Sequence, residues 1–244
     1  MSAVPQASDE PVLLRSDAGS VAALTLNRPT QFNSLSQELL TALQEQLETI
    51  AKDATVRVVV IAGAGKAFCA GHDLKEMRSD PRKEFQQQLF RQCARVMTTL
   101  TELPQPVIAR VHGIATAAGC QLVSMCDLAV AVENARFAVS GINLGLFCST
   151  PAVGLARNMG RKQAFEMLVT GDFIDAETAR QRGLVNRVVP ADKLDDEVRR
   201  LTDSIVAKSP VAVAMGKQLF YKQLEMGLEA AYQLAGETMA CNMV

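Results

Sequence analysis

Two stretches of this chain combine glycine, small residues and polar groups in a pattern suited to chemistry at a carbonyl. They are Gly65-Lys66-Ala67-Phe68-Cys69-Ala70-Gly71-His72-Asp73-Leu74 and Gly113-Ile114-Ala115-Thr116-Ala117-Ala118-Gly119-Cys120-Gln121. Each follows a β-rich apolar run, residues 56–62 and 107–111, and each leads into a segment able to start a helix. A strand, a tight small-residue turn and a helix N-terminus leave backbone N–H groups free and directed outward. Two such loops aimed at one oxygen form an oxyanion hole, which stabilises negative charge developing on a carbonyl.

The elements that must hold these loops follow from periodicity. Residues 12–15 and 21–26 read as paired strands around the turn Asp17-Ala18-Gly19-Ser20. Ser34 followed by Gln37 fits a capping box, and Leu39, Leu43, Leu47 and Ile50 then recur at helical spacing. The run 56–62 is continuously apolar, as a strand covered on both faces should be. Residues 85–100 predict a helix with Leu89, Cys93, Val96, Met97 and Leu100 on one side, stopped by Leu103-Pro104-Gln105-Pro106. Residues 121–126 continue a short helix, and 127–132 and 137–140 are brief strands. This strand–helix–strand rhythm is that of an α/β chain. From Arg161 onward the pattern is helical, over 162–169, 176–182, 191–208, 210–224 and 228–241, with 185–189 the one strand expected there. The expected organisation is a flexible polar lead-in over 1–11, an α/β core over 12–190 and a helical tail over 191–244 that caps the core or assembles subunits.

Bulk composition narrows the function. A hydrophobic content of 48% and mean hydropathy of +0.10 are ample for a core and slightly rich for a monomer, pointing to buried subunit interfaces. With 25 basic and 26 acidic residues and no basic block, nucleic acid is not the expected partner. No apolar run reaches membrane-spanning length. Residues 1–11 have the pattern of neither a signal nor a transit peptide. The 6 cysteines form no C-x-x-C pair and only 2 histidines exist, so reduced thiols in a cytoplasmic protein without a metal are expected.

Several short pieces then occur in a telling order: Asn27-Arg28-Pro29 with Asn33-Ser34-Leu35, the run from Lys66 to Met77, Val111-His112-Gly113, Ala118-Gly119-Cys120-Gln121-Leu122, Cys126-Asp127, Thr170-Gly171, and Ala179 with Gly183-Leu184-Val185. Together they resemble the enoyl-CoA hydratase/isomerase superfamily, the crotonase fold. Leu146-Phe147-Cys148-Ser149-Thr150-Pro151 looks most like its subgroup called enoyl-CoA hydratase domain-containing protein 3. The resemblance implies a spiral of ββα units, a helical tail that builds homotrimers or hexamers, and an acyl-CoA thioester as substrate or ligand, with no other cofactor. It implies that the thioester carbonyl accepts bonds from the backbone N–H groups of His72 and Ala118. It further implies that Lys66, Ala67, Phe68, Ala70, His72, Asp73, Leu74 and Lys75 line the CoA, mostly through backbone, with Lys66 and Lys75 as phosphate candidates.

The catalytic pair departs from the resemblance. Hydratases of this family use two glutamates to hold and activate water, and their positions fall on Gln121 and Gly141. Gln121 can orient water without accepting its proton, and Gly141 has no side chain. Losing a positioned acid or base typically costs ~10²–10⁴-fold in rate. Hydration, a non-catalytic acyl-CoA-binding role, and thioester hydrolysis by Cys148, Ser149 or His72 therefore all stand as readings. The His72 ring either projects toward the ligand or merely packs or faces solvent. Asp73, Asp127 and His112 read as structural, Arg28 and Arg157 as surface ion pairs, and residues 217–223 as a solvated helix face.

Overall fold

Val58–Gly63, Val107–Val111 and Leu128–Val132 are almost wholly apolar, and they form the parallel centre of a six-stranded sheet in the computed structural model, which describes residues 10–243. The expectation for the lead-in falls almost wholly outside those residues. In chain order the strands are β1 (Leu13–Ala18), β2 (Val21–Leu26), β3 (Val58–Gly63), β4 (Ala67–Cys69), β5 (Val107–Val111), β6 (Ile114–Thr116), β7 (Leu128–Val132), β8 (Arg136–Ala138), β9 (Ile174–Asp175) and β10 (Arg187–Val189). The helices are α1 (Gln37–Ile50), α2 (Leu74–Ser79), α3 (Lys83–Glu102), α4 (Ala118–Met125), α5 (Ser149–Asn158), α6 (Arg161–Thr170), α7 (Ala176–Gln181), α8 (Leu194–Val206), α9 (Pro210–Gln223) and α10 (Leu228–Asn242).

The large sheet runs β1-β2-β3-β5-β7-β10, with only β1 and β2 antiparallel, and a smaller four-stranded sheet runs β4-β6-β8-β9. Successive turns of the chain give one strand to each sheet: β3 then β4, β5 then β6, β7 then β8. That repeated step is the spiral of ββα units of the crotonase fold, with a helical region at its C-terminal end. Burial follows the apolar pattern: Val58, Val59, Ile61, Val107, Ile108, Val111 and Val130 are inaccessible, and α3 buries Leu89, Cys93, Val96, Met97 and Leu100.

Several boundaries differ from expectation. The first hairpin has a two-residue turn, because β1 runs on to Ala18, and Gly19 takes a φ of 58°. The N-cap of α1 is Ser36, whose hydroxyl accepts from the Leu39 amide at 3.2 Å. Ser34 is instead engaged by Arg28. Both glycine-bearing loops contain a three-residue strand, β4 and β6, too short to show an alternation of its own. β9 joins the small sheet, and α5 fills a stretch for which no element is expected above. α8 lies across β3, β5 and β7, α9 reaches α3, and α10 packs on α9.

Candidate active site

The two loops meet where α4 begins. Gly71 has a φ of 94°, and a Cβ built there would lie 2.8 Å from Ala117 Cβ and 3.2 Å from the Ala118 nitrogen. Gly119 is tighter still, since a Cβ on it would overlap the Cys69 carbonyl oxygen. Only glycine allows the first loop to press onto the first turn of α4. Ala117, the residue capping α4, has φ 49° and ψ −121°. For a residue with a Cβ this is strained by roughly 1–3 kcal/mol, the kind of strain that collects at functional sites.

The direction of the His72 amide follows from its neighbours. Leu35 N donates to the Gly71 carbonyl at 2.7 Å, and Asp73 N donates to the Leu35 carbonyl at 3.2 Å. His72 is the residue bridged to Leu35, and successive amides of an extended segment alternate in direction. Its N–H therefore points away from Leu35. Ala118 is the first residue of α4, so its N–H has no carbonyl one turn earlier within the helix. Ala117 N, by contrast, donates to the Ala138 carbonyl at 3.0 Å. A pair of free amides on such a junction can hold an anionic oxygen.

The first loop is held by two networks. Asn33 is fully buried, donates through Nδ2 to the Ala64 and Ala67 carbonyls at 2.8 Å each, and accepts from the Arg28 amide at 2.9 Å. Asp73 accepts from Arg28 at 2.8 Å and from the Lys75 and Glu76 amides, capping α2. Burial works to raise the Asp73 pKa, but Arg28 and those amides outweigh it and hold the carboxyl below its ordinary value. The Asp73 carboxylate is thus committed to holding the loop. Arg28, expected at a surface ion pair, is mostly shielded and ties loop to loop.

The remaining expected residues divide by exposure. Lys66, Leu74 and Lys75 are exposed, and Ala70 is half-buried with its amide given to the Phe32 carbonyl at 3.0 Å. Ala67 and Phe68 lie in β4 with side chains in the core, leaving only backbone to offer. Gln121 is 4% exposed and its Oε1 has no hydrogen-bond partner. The His72 ring stands edge-on to Phe90, centroids 5.6 Å apart, and both ring nitrogens are shielded from solvent. Burial depresses its pKa to about 4, outweighing a hydrogen bond to the Leu35 backbone that works to raise it, so the imidazole is neutral at physiological pH. His112 Nε2 lies 2.9 Å from the Gly65 carbonyl, a structural bond as read from sequence.

Gly141 is enclosed. A Cβ there would lie 2.7 Å from Cys148 Sγ and 2.7 Å from the Leu146 carbonyl oxygen. Cys148 is 7% exposed, and burial raises its pKa, outweighing a hydrogen bond from the Gly141 amide. It is a protonated thiol beside Gly141 and lacks the activation a nucleophile needs. Ser149 Oγ donates to the Phe147 carbonyl at 3.3 Å.

Sequence reasoning missed one polar cluster. Lys217 on α9 is buried, and its Nζ donates to Asp127 at 2.6 Å, the Leu100 carbonyl at 2.7 Å and the Gln105 carbonyl at 2.9 Å. Tyr221 donates to the same carboxylate at 2.8 Å, as does the Val107 amide at 2.6 Å. The solvated face expected over 217–223 is therefore a docking face. Lys217 and Tyr221, four residues apart, were its only visible signal.

A model of enoyl-CoA hydratase/isomerase matches residues 16–241. The chain belongs to that family. It is 43% identical over 233 residues to the Xenopus laevis protein "Enoyl-CoA hydratase domain-containing protein 3, mitochondrial", covering 96% of this chain and 79% of the relative. The crystal structure of human enoyl Coenzyme A hydratase domain-containing protein 3 superposes with a TM-score of 0.92 at 40% identity, covering 95% of this chain and 92% of that one. An enoyl-CoA hydratase from Mycobacterium smegmatis gives a TM-score of 0.95 at 62% identity, covering 96% and 92%. The expectation of a cytoplasmic location is corrected: the Xenopus relative, and rat and zebrafish relatives of the same name at 42% and 40% identity, are called mitochondrial. Cysteine spacing does not distinguish one reducing compartment from another.

Proposed function

We propose that this family member binds an acyl-CoA thioester, its carbonyl oxygen held between the His72 and Ala118 amides, and stabilises enolate-like charge on that oxygen. The observation that supports the reading is the close approach of Gly71 to the start of α4, where a Cβ on Gly71 would lie 2.8 Å from Ala117 Cβ and 3.2 Å from the Ala118 nitrogen. Amides fixed in place bind developing charge more tightly than they bind the neutral carbonyl, which is what lowers a barrier. At the two positions where the family pattern has glutamates stand Gln121, an amide, and Gly141, so hydration is slow in this reading. Backbone of Ala70, His72 and Leu74 accompanies the pantetheine, and exposed Lys66 and Lys75 serve the phosphates.

A binding-only role is the second reading, favoured by the enclosure of Gly141. Thioester hydrolysis is disfavoured by the raised Cys148 pKa and by a Ser149 hydroxyl turned to backbone. Self-association through the tail is supported by exposed Phe220, Leu224, Leu228 and Tyr232. Purified protein given crotonyl-CoA and saturated acyl-CoAs tests the proposal, with enoyl absorbance, free thiol and binding heat followed together. Binding heat with slow absorbance loss supports it. Heat without turnover supports the binding role, and absence of heat with every thioester ends both.

A further inference from the structure

Lys217 is a buried cation that the proposed chemistry does not use. Its ammonium reaches three segments of the core: the Leu100 carbonyl in the last turn of α3 at 2.7 Å, the Gln105 carbonyl at 2.9 Å, and the Asp127 carboxylate just past α4 at 2.6 Å. The Leu100 carbonyl has no amide to meet within its own helix, because the residue one turn on is Pro104. Asp127 is held from two further sides, by the Tyr221 hydroxyl at 2.8 Å and by the Val107 amide at 2.6 Å. Lys217 and Tyr221 stand one turn apart on α9, so both bite on a single carboxylate. Apolar residues of similar volume often hold a helix as firmly as a buried ion pair does. What directional bonds add is a fixed position.

The elements fixed in this way are those behind the two amides. α3 carries Phe90, whose ring meets the His72 ring edge-on, so α3 backs the first loop. α4 carries Ala118 as its first residue, and Asp127 follows its end. Every residue from Ala118 to Ser124 is buried, and a close-packed interior transmits a displacement at one end of so short a helix to the other. β5, which leads toward α4, begins at Val107, whose amide is bonded to that same carboxylate. Both ends of the segment that delivers Ala118 are therefore tied at one point. We infer that Lys217, with Tyr221, is a positioning residue for the candidate site: by joining the end of α3 to the end of α4 through Asp127, it sets the spacing of the His72 and Ala118 amides. This rests on the acyl-thioester reading above. A docked α9 is then part of what makes the oxygen site, and without it the chain holds CoA but does not grip the carbonyl.

The test compares butyryl-CoA with S-butyl-CoA, a thioether in which a methylene replaces the carbonyl, by calorimetric titration of the full chain. The wild type should bind the thioester about fivefold or more tightly. NMR of butyryl-CoA isotopically labelled at the carbonyl carbon should show that resonance moving downfield on binding. Lys217→Met combined with Asp127→Asn removes both charges together, so no buried ion is left unpaired. In that protein the ratio should fall toward one and the bound resonance should return toward its free position, with S-butyl-CoA binding kept close to wild type. Tyr221→Phe should move both readouts part of the way. A role confined to stability would lower the melting temperature and leave ratio and resonance at wild-type values, which overturns the inference, as does equal weakening of both ligands. Should the double variant not fold, Tyr221→Phe decides: wild-type ratio and resonance in that protein overturn the inference. A wild type that shows neither preference nor resonance shift defeats the acyl-thioester reading itself.

Discussion

Restoring the second glutamate is the natural repair for a hydratase-like site, and the geometry at Gly141 says it should fail. A Cβ at this position would lie 2.7 Å from Cys148 Sγ and from the Leu146 carbonyl oxygen. The thiol can rotate, but the carbonyl belongs to a chain turn closed by the Leu146 amide bonding back to Gly141 at 3.0 Å. Forcing atoms into such a site costs typically ~1–3 kcal/mol. At about 2–4 °C per kcal/mol for a chain of this size, Gly141→Glu should melt roughly 2–12 °C below wild type. Cys148→Ala removes one of the two clashes, so the double variant should be less destabilised than the two single changes summed, by more than about 0.5 kcal/mol. Thermal melts of the four proteins measure that coupling, and crotonyl-CoA hydration measures its consequence. Gln121→Glu with Gly141→Glu should gain little hydration, and adding Cys148→Ala should recover stability more than rate, because the Leu146 carbonyl still blocks the position. A Gly141→Glu protein that melts with the wild type and hydrates crotonyl-CoA efficiently would refute this account of the site.

Gly119→Ala should abolish acyl-CoA binding by calorimetry, because its methyl group overlaps the Cys69 carbonyl and must push the first loop off α4; undiminished affinity would separate this contact from the site. Lys217→Met leaves the Asp127 carboxylate buried without its cation, a change that costs ~3–5 kcal/mol. Its melting temperature should fall, and limited proteolysis should cut the tail around α9 faster than in wild type. His72 is held neutral to about pH 4 in the fold against an ordinary value of 6.5. Below pH 6.5 the unfolded chain takes up a proton that the folded one does not, so up to about 3 kcal/mol of stability present above pH 6.5 is lost on descending to pH 4. Denaturant titrations across that window should show a slope that His72→Phe flattens. Asn33→Ala removes the three hydrogen bonds that the buried Asn33 side chain makes under the first loop and should lower stability by about 2–4 kcal/mol, read as a shift in urea midpoint.

Local pattern alone was enough for the strands and helices whose periodicity is long and unambiguous. The apolar faces of α1 and α3 are written in residue order because burial on one side of a helix repeats with the helix's own period, and the continuous apolar run of Val107–Val111 is that of a strand covered on both faces. The order of the glycine-bearing loops along the chain was likewise enough to point to the family. Sequence could not show what stands opposite a residue. β4 and β6 are three residues each and exist as strands only because a neighbouring strand supplies their hydrogen bonds. The same holds for Lys217, which looks like a solvated lysine until α9 docks it onto Asp127, ninety residues away in sequence. Gly141 reads as a missing side chain, and the fold adds that Cys148 and Leu146 have closed the space. Pairing, burial of a charge and the room beside a glycine depend on contacts between residues far apart in the chain, which no local period encodes.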